Sequence, residues 1–156
     1  MSLEPREACI TFLNCYEEYR ELSNYFNDCR IYDFDEVFFC SEQMYVFCKL
    51  KLLVPEDIPL GDENEEAQLR RKRAPHFKAD LKKKLTDIKE VRGLMQFHRE
   101  FKQLCQGGDL DISRAYDKFV ESGAQDLVME YCLWQKFNQN ENCRACLLYT
   151  SDAADD

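Results

Sequence analysis

The stretch Phe38-Phe39-Cys40-Ser41-Glu42-Gln43-Met44-Tyr45-Val46-Phe47-Cys48-Lys49 decides the fold. Ser41 offers a helix N-cap, Met44, Phe47 and Cys48 recur at helical spacing with Tyr45 and Leu52 on an adjoining face, and Pro55 supplies the stop. This reads as a helix of about three turns beginning at Ser41. Before it the chain is irregular in period and rich in aromatic residues and Cys. Ile10-Thr11-Phe12-Leu13, Arg30-Ile31-Tyr32-Asp33 and Val37-Phe38-Phe39-Cys40 are candidate strands of a small sheet. After it, residues 54–76 hold three of the four prolines and both signs of charge, and read as a surface excursion. Residues 78–105 read as one or two amphipathic helices broken near Gly93, Gly107-Gly108-Asp109 as a turn, and residues 113–120 as a further helix. The clearest helical pattern spans residues 126–145, with Leu127, Tyr131 and Trp134 at i, i+4 and i+7 and Gly123 marking the break before it. A stripe of that spacing is more often core than a surface for stacking a ligand. The expected fold is α+β and mainly α, a single domain with a small N-terminal sheet packed against several helices.

At 156 residues, 45% of them hydrophobic, the chain can bury one sizeable core and is short for two. No apolar run approaches the roughly 18 residues that a membrane span requires. The opening Met1-Ser2-Leu3-Glu4-Pro5-Arg6-Glu7 has acids where an export signal has bases, so a cytoplasmic protein is expected. The formal charge of -9 argues against strong, sequence-independent nucleic-acid binding, which draws on clustered Lys and Arg. Two basic runs have plain explanations. Arg70-Arg71-Lys72-Arg73 follows Asp62-Glu63-Asn64-Glu65-Glu66 and is compensated by it, and Lys82-Lys83-Lys84 reads as the wet face of a helix carrying Leu81, Leu85 and Ile88 on the other.

The nine cysteines are odd in number and several lie in apolar stretches, so they read as reduced, mostly buried thiols. Cys143-Arg144-Ala145-Cys146 is formally a CxxC, but no second CxxC and no paired His completes a zinc site, and His76 and His98 stand apart. Residues 146–156, Cys146-Leu147-Leu148-Tyr149-Thr150-Ser151-Asp152-Ala153-Ala154-Asp155-Asp156, read as the translation of a transposase sequencing-library adapter, so native sequence is expected to stop near Ala145. Setting them aside removes Asp152, Asp155, Asp156 and Cys146, and the CxxC with it.

No Gly-rich phosphate loop and no triad or metal motif around either His is present in the sequence. What stands out is a constellation: Ile10-Thr11-Phe12, then Leu22-Ser23-Asn24-Tyr25-Phe26, then Ser41-Glu42-Gln43 opening a helix that reaches Lys49. Further on come Asp87-Ile88-Lys89-Glu90-Val91-Arg92-Gly93-Leu94 and Leu127-Val128-Met129-Glu130, the latter leading to Lys136-Phe137-Asn138-Gln139-Asn140. In this order the elements resemble the NADAR (YbiA-like) N-glycosidase family over about half of the chain. The resemblance implies a YbiA-like domain over residues 8–145, incomplete at its C-terminus. It implies cleavage of an N-glycosidic bond in a phosphoribosylamino-pyrimidine, an intermediate of riboflavin synthesis, or in an ADP-ribosylated base, with no metal and no cofactor.

Under that resemblance Glu42 is the candidate catalytic residue. Breaking a ribose C–N bond passes through an oxocarbenium-like state that a fixed carboxylate stabilises, and a first-turn acid is held ionised by the helix dipole. Asn24 and Ser23 are candidates for holding ribose hydroxyls or the base edge, and Tyr25 and Tyr45 for stacking with a polar tip. Taken alone, a residue like Glu42 is most often just a favourable first-turn acid, and one like Asn24 most often a turn or cap residue. The pattern also departs from the family. The stretch Phe119-Val120-Glu121-Ser122-Gly123-Ala124 lacks the tryptophan the family carries there, and the family's late Asp-x-x-Trp-Gly element would fall beyond residue 145. Residues 54–76 and 102–120 look like insertions. The alternatives are a catalytically inactive nucleotide-sugar or protein-binding module of the same family, and a helical interaction protein.

Overall fold

The computed structural model describes residues 20–57 and 73–155, with side chains described as far as residue 148. The fold is mainly helical with one two-stranded antiparallel sheet, the α+β class expected. A 3-10 turn (Arg20–Leu22) precedes strands β1 (Ile31–Asp33) and β2 (Glu36–Phe38) and helix α1 (Ser41–Leu53). Then come α2 (Phe77–Thr86), α3 (Val91–Gln103), a tight turn (Leu104–Gly108), α4 (Leu110–Glu121), α5 (Ala124–Gln139) and α6 (Glu141–Asp155). The described residues divide into two compact units, one holding those up to Met44 and from Glu130 onward, the other those between Tyr45 and Met129. Helices α1 and α5 each contribute to both.

In the first unit, β1 and β2 pair Ile31 with Phe38, Tyr32 with Val37 and Asp33 with Glu36. The period of two turns Ile31 and Phe38 to the interior and leaves Tyr32 and Val37 exposed. Phe34 and Asp35 join the strands with φ of 54° and 58°, both positive as a type I′ turn demands. Phenylalanine is an uncommon occupant of that region. It is held there by its N–H on Asp33 Oδ1 at 2.8 Å and by its ring, 6.4 Å from that of Tyr131. The hairpin rests on α5 through Gln139, which accepts from Tyr32 N–H at 2.8 Å and donates to Tyr32 O at 3.1 Å. The two later strand expectations therefore hold to within two residues at each end, and Ile10-Thr11-Phe12-Leu13 lies outside the described residues.

Two expectations about the late helices are corrected. The pattern over residues 126–145 forms two helices, because the Asn140 side chain donates to Lys136 O at 2.9 Å and to Arg30 O at 3.1 Å where a continuous helix would have passed. The stripe Leu127, Tyr131 and Trp134 faces outward, with Leu127 67% and Trp134 65% exposed. The inner row of α5 is instead Val128, Cys132 and Lys136, spaced by four.

In the second unit, the α1 residues from Tyr45 onward are buried except Lys51 and Leu52, Lys49 among the apolar side chains included. Leu50, Leu85, Leu94, Phe97, Phe101, Ile112 and Phe119 supply much of this unit's core. The break expected near Gly93 falls earlier, at residues 87–90, and Gly93 lies inside α3. A Cβ there would sit 3.2 Å from Ile88 Cγ2, so the glycine admits the Ile88 side chain. The start of α2 is capped from a distance: Asp57 accepts from Lys78 N–H at 2.8 Å and Ala79 N–H at 3.0 Å. Lys78 is itself buried, its Nζ donating to Glu56 Oε1 at 2.6 Å and Lys51 O at 3.0 Å.

Asp109 caps α4, accepting from the N–H groups of Asp111 and Ile112, both at 3.1 Å. Arg73 grips the same carboxylate through Nε at 2.7 Å and Nη2 at 2.6 Å. Burial opposes the charge, yet Arg73 and the helix N–H groups hold the Asp109 carboxyl below its ordinary range. Asp109→Ala should cost about 2–3 kcal/mol, from a lost cap and a lost charge-assisted pair. Urea denaturation of the variant checks this, and a loss under about 0.5 kcal/mol would mean the cap is idle. Among the described residues no helix is long and apolar enough to cross a membrane.

Candidate functional site

The residues at issue begin in a tight turn. Phe26 N–H donates to Ser23 O at 3.1 Å, closing a four-residue turn, and Tyr25 N–H donates to Ser23 Oγ at 3.2 Å. Asn24, at the turn's corner, has its carbonyl directed at the start of α1. That carbonyl accepts from Glu42 N–H at 2.9 Å and from Ser41 Oγ at 3.3 Å, and the Ser41 hydroxyl also lies 3.4 Å from Asn24 Oδ1. This corrects the expectation that Ser41 caps the helix with its own oxygen. Ser41 is the first helical residue, its hydroxyl donates, and the oxygen that satisfies the exposed N–H comes from the Asn24 backbone. Gln43 completes the start by accepting from Phe39 N–H at 2.8 Å.

The first unit thus brings together Ser23, Asn24, Tyr25 and Glu42. Glu42 is buried, with 7% of its surface exposed, and Ser23 is buried as well. The electrical effect of the arrangement is visible in the neighbours. Burial, then the Glu42 charge and Cys40, push the Tyr25 hydroxyl up to about 12. Burial pushes the Cys40 thiol up to about 12 as well, against the backbone N–H of Gln43, and the Glu42 charge adds to it. Both groups stay protonated at neutral pH, so Tyr25 is a hydrogen-bond donor and Cys40 no nucleophile.

Sequence reading assigned no role to Lys136, and the structure makes it central to this unit. Its side chain is fully buried, and Nζ donates to Ser23 O at 2.8 Å. The ammonium also lies 5.3 Å from the centre of the Phe137 ring. Burial lowers its pKa to about 8, against the charges around it. The signal that locates it is the row Val128, Cys132, Lys136, a lysine that continues two apolar positions of one helix face at steps of four.

Tyr45, the remaining candidate, belongs to the second unit. It is buried there, its ring 5.6 Å from Lys49 Nζ. Lys49 is buried too, with the rings of Phe101 at 5.8 Å and Tyr116 at 5.3 Å. His98 has its pKa lowered by burial and then by Lys49 and Lys102.

The cysteines depart from expectation at one place. Cys29 and Cys143 are joined as a disulfide, a pairing 114 residues apart in sequence that no local pattern announces. Cys40, Cys48, Cys105 and Cys132 are buried thiols outside any disulfide, as expected, and Cys146, also outside one, has its Sγ on Glu21 Oε2 at 3.7 Å. Among the described residues no group of three or more His, Cys, Asp or Glu is placed to hold a metal ion.

Compared with known family models, curated proteins and solved structures, the chain finds no match.

Proposed function

We propose that the chain is a NADAR-like N-glycosidase that hydrolyses the ribosyl C–N bond of a phosphoribosylamino-pyrimidine or an ADP-ribosylated base, with Glu42 as its working carboxylate. The observation that carries this reading is the place of Glu42: a buried acid in the first turn of α1, fastened by its N–H to the Asn24 carbonyl at 2.9 Å. As the base departs, positive charge grows on the anomeric carbon, and a carboxylate held in a weakly screened setting stabilises it far better than water does. The same carboxylate takes the proton of the water that attacks that carbon. Tyr25, kept protonated, donates a hydrogen bond to a substrate oxygen without ionising. Ser23 and Asn24 hold the sugar or base edge, and Lys136 fixes the Ser23 carbonyl from which their turn is built. The chemistry needs neither metal nor cofactor, and the substrate is a small nucleotide-like molecule or modified base in the cytoplasm.

A second reading, an inactive module that binds a nucleotide sugar or a protein, is favoured by the absence of tryptophan from Phe119-Val120-Glu121-Ser122-Gly123-Ala124. The test incubates the 156-residue chain with each glycoside while free base is followed by chromatography. Release well above the spontaneous rate supports the glycosidase. Saturable binding of the glycoside with no release would support the module instead.

A further inference from the structure

We propose that Cys29 and Cys143 are a reversible thiol–disulfide switch, closed by peroxide, that fastens the segment between Asn24 and β1 to helix α6. Both residues are fully buried, and they are the one bonded pair among the described cysteines. Contacts other than the bond also bring the two segments together. Asn140 donates to the carbonyl of Arg30, the residue after Cys29, at 3.1 Å, and Gln139 bonds both backbone groups of Tyr32. Cys29 Sγ also lies 4.0 Å from Oδ1 of Asn142, the residue before Cys143. The reduced thiols therefore remain neighbours, and closure is an intramolecular step with a high effective concentration.

The sulfurs have no exposed surface in the closed fold, so oxidation and reduction alike pass through a local opening that admits the reagent and lets a thiol ionise, and hydrogen peroxide, little larger than water, needs the least opening. One thiol, as its thiolate, attacks a peroxide oxygen. The O–O bond breaks, one water leaves, and a sulfenic acid remains. The second thiol attacks that sulfur, the S–O bond breaks, the S–S bond forms and a second water leaves. The two thiols together lose two electrons to the peroxide, and their two protons end in the two waters. A dithiol reductant such as dithiothreitol reverses the result by exchange. Joining residues so far apart in sequence restricts the unfolded chain, so the closed form is the more stable.

The test uses the whole 156-residue chain. Samples treated with hydrogen peroxide or with dithiothreitol are alkylated in urea and mapped as peptides without reduction, and each is melted in parallel. The expected result is a Cys29–Cys143 linked peptide and a melting temperature about 5–10 °C higher after peroxide, both reversed by dithiothreitol. The shift should vanish in Cys29→Ser and in Cys143→Ser and persist in Cys132→Ser. Should a serine variant not fold, the parent compared between the two treatments still decides. No linked peptide, a dominant link between other cysteines, or a linked form that melts with the reduced one would each overturn the proposal.

Discussion

Glu42→Gln is expected to lower free-base release several hundredfold, on the order of 3–4 kcal/mol in the barrier, while the protein stays folded. Glutamine keeps the size of the side chain and removes the negative charge, so the loss isolates what that charge does for a growing cation and for the attacking water. Folding should be nearly untouched, because glutamine keeps the shape of the side chain and the backbone N–H bond to Asn24 O is retained. Glu42→Asp is the informative companion. It keeps the charge but withdraws it by one methylene, and a misplacement of about 1 Å costs roughly a hundredfold in a positioned reaction. The measurement is kcat/KM with circular-dichroism melting of each variant. A glutamine variant within threefold of its parent would remove Glu42 from the chemistry.

Lys136→Met carries the second large effect, and it is read in stability against pH. The ordinary lysine pKa of 10.5 is lowered to about 8 here, burial being the first cause. Below pH 8 the amine is charged in both the folded and unfolded states, and the full cost of burying that charge is carried. Between pH 8 and 10.5 the unfolded chain keeps a proton that the folded protein has shed, so stability climbs with pH, by about 3 kcal/mol in all. Cys40 and Tyr25 act oppositely. Their folded values near 12 lie above the ordinary 9.0 and 10.0, so above pH 9 the unfolded chain releases protons that the folded protein retains. The parent's own curve mixes these slopes, and subtracting the methionine variant isolates Lys136.

At pH 7 the variant should lie within about 1 kcal/mol of the parent, since relief of a buried charge offsets the lost bond to Ser23 O. As pH rises from 8 to 10 the parent should gain on it steadily. Lys136→Ala, which also leaves a cavity, should cost about 2–4 kcal/mol. Urea titrations at half-unit steps supply the curves, and a parent-to-methionine difference that stays flat from pH 7 to 10 would rule out the depressed amine. Base release by the methionine variant should fall at least tenfold if Lys136 holds the Ser23 turn in place.

Helix α1 was legible from sequence because its apolar positions, its start near Ser41 and its stop before Pro55 agree with one another. The two strands were legible from their β-branched and aromatic residues, Ile31-Tyr32 and Val37-Phe38, though the stretch is irregular in period and their pairing was not read. Of the candidate site, Glu42 and the Ser23-Asn24-Tyr25 turn could be named and do lie in one unit. That the turn supplies the cap of α1 could not be read, since the bond runs between backbone groups and leaves no trace in residue identity. Lys136 escaped because lysine ordinarily lies at the surface, and its neighbours Trp134 and Tyr131 suggested the wrong inner face for α5. Leu127, Tyr131 and Trp134 are bulky groups at helical spacing, and size outweighed the quieter row of Val128 and Cys132.

The borrowed oxygen at the head of α1 ties two local events into one. With Glu42 N–H bonded to Asn24 O and Phe39 N–H bonded to Gln43 Oε1, the first coil cannot loosen by itself as helix ends commonly do. Releasing it means undoing a loop 17 positions upstream, the sequence distance from Ser41 back to Asn24. Solvent deuterium should therefore enter the amides of Phe39 and Glu42 together, at the pace of that shared opening, and the acid should be either fully seated or wholly adrift.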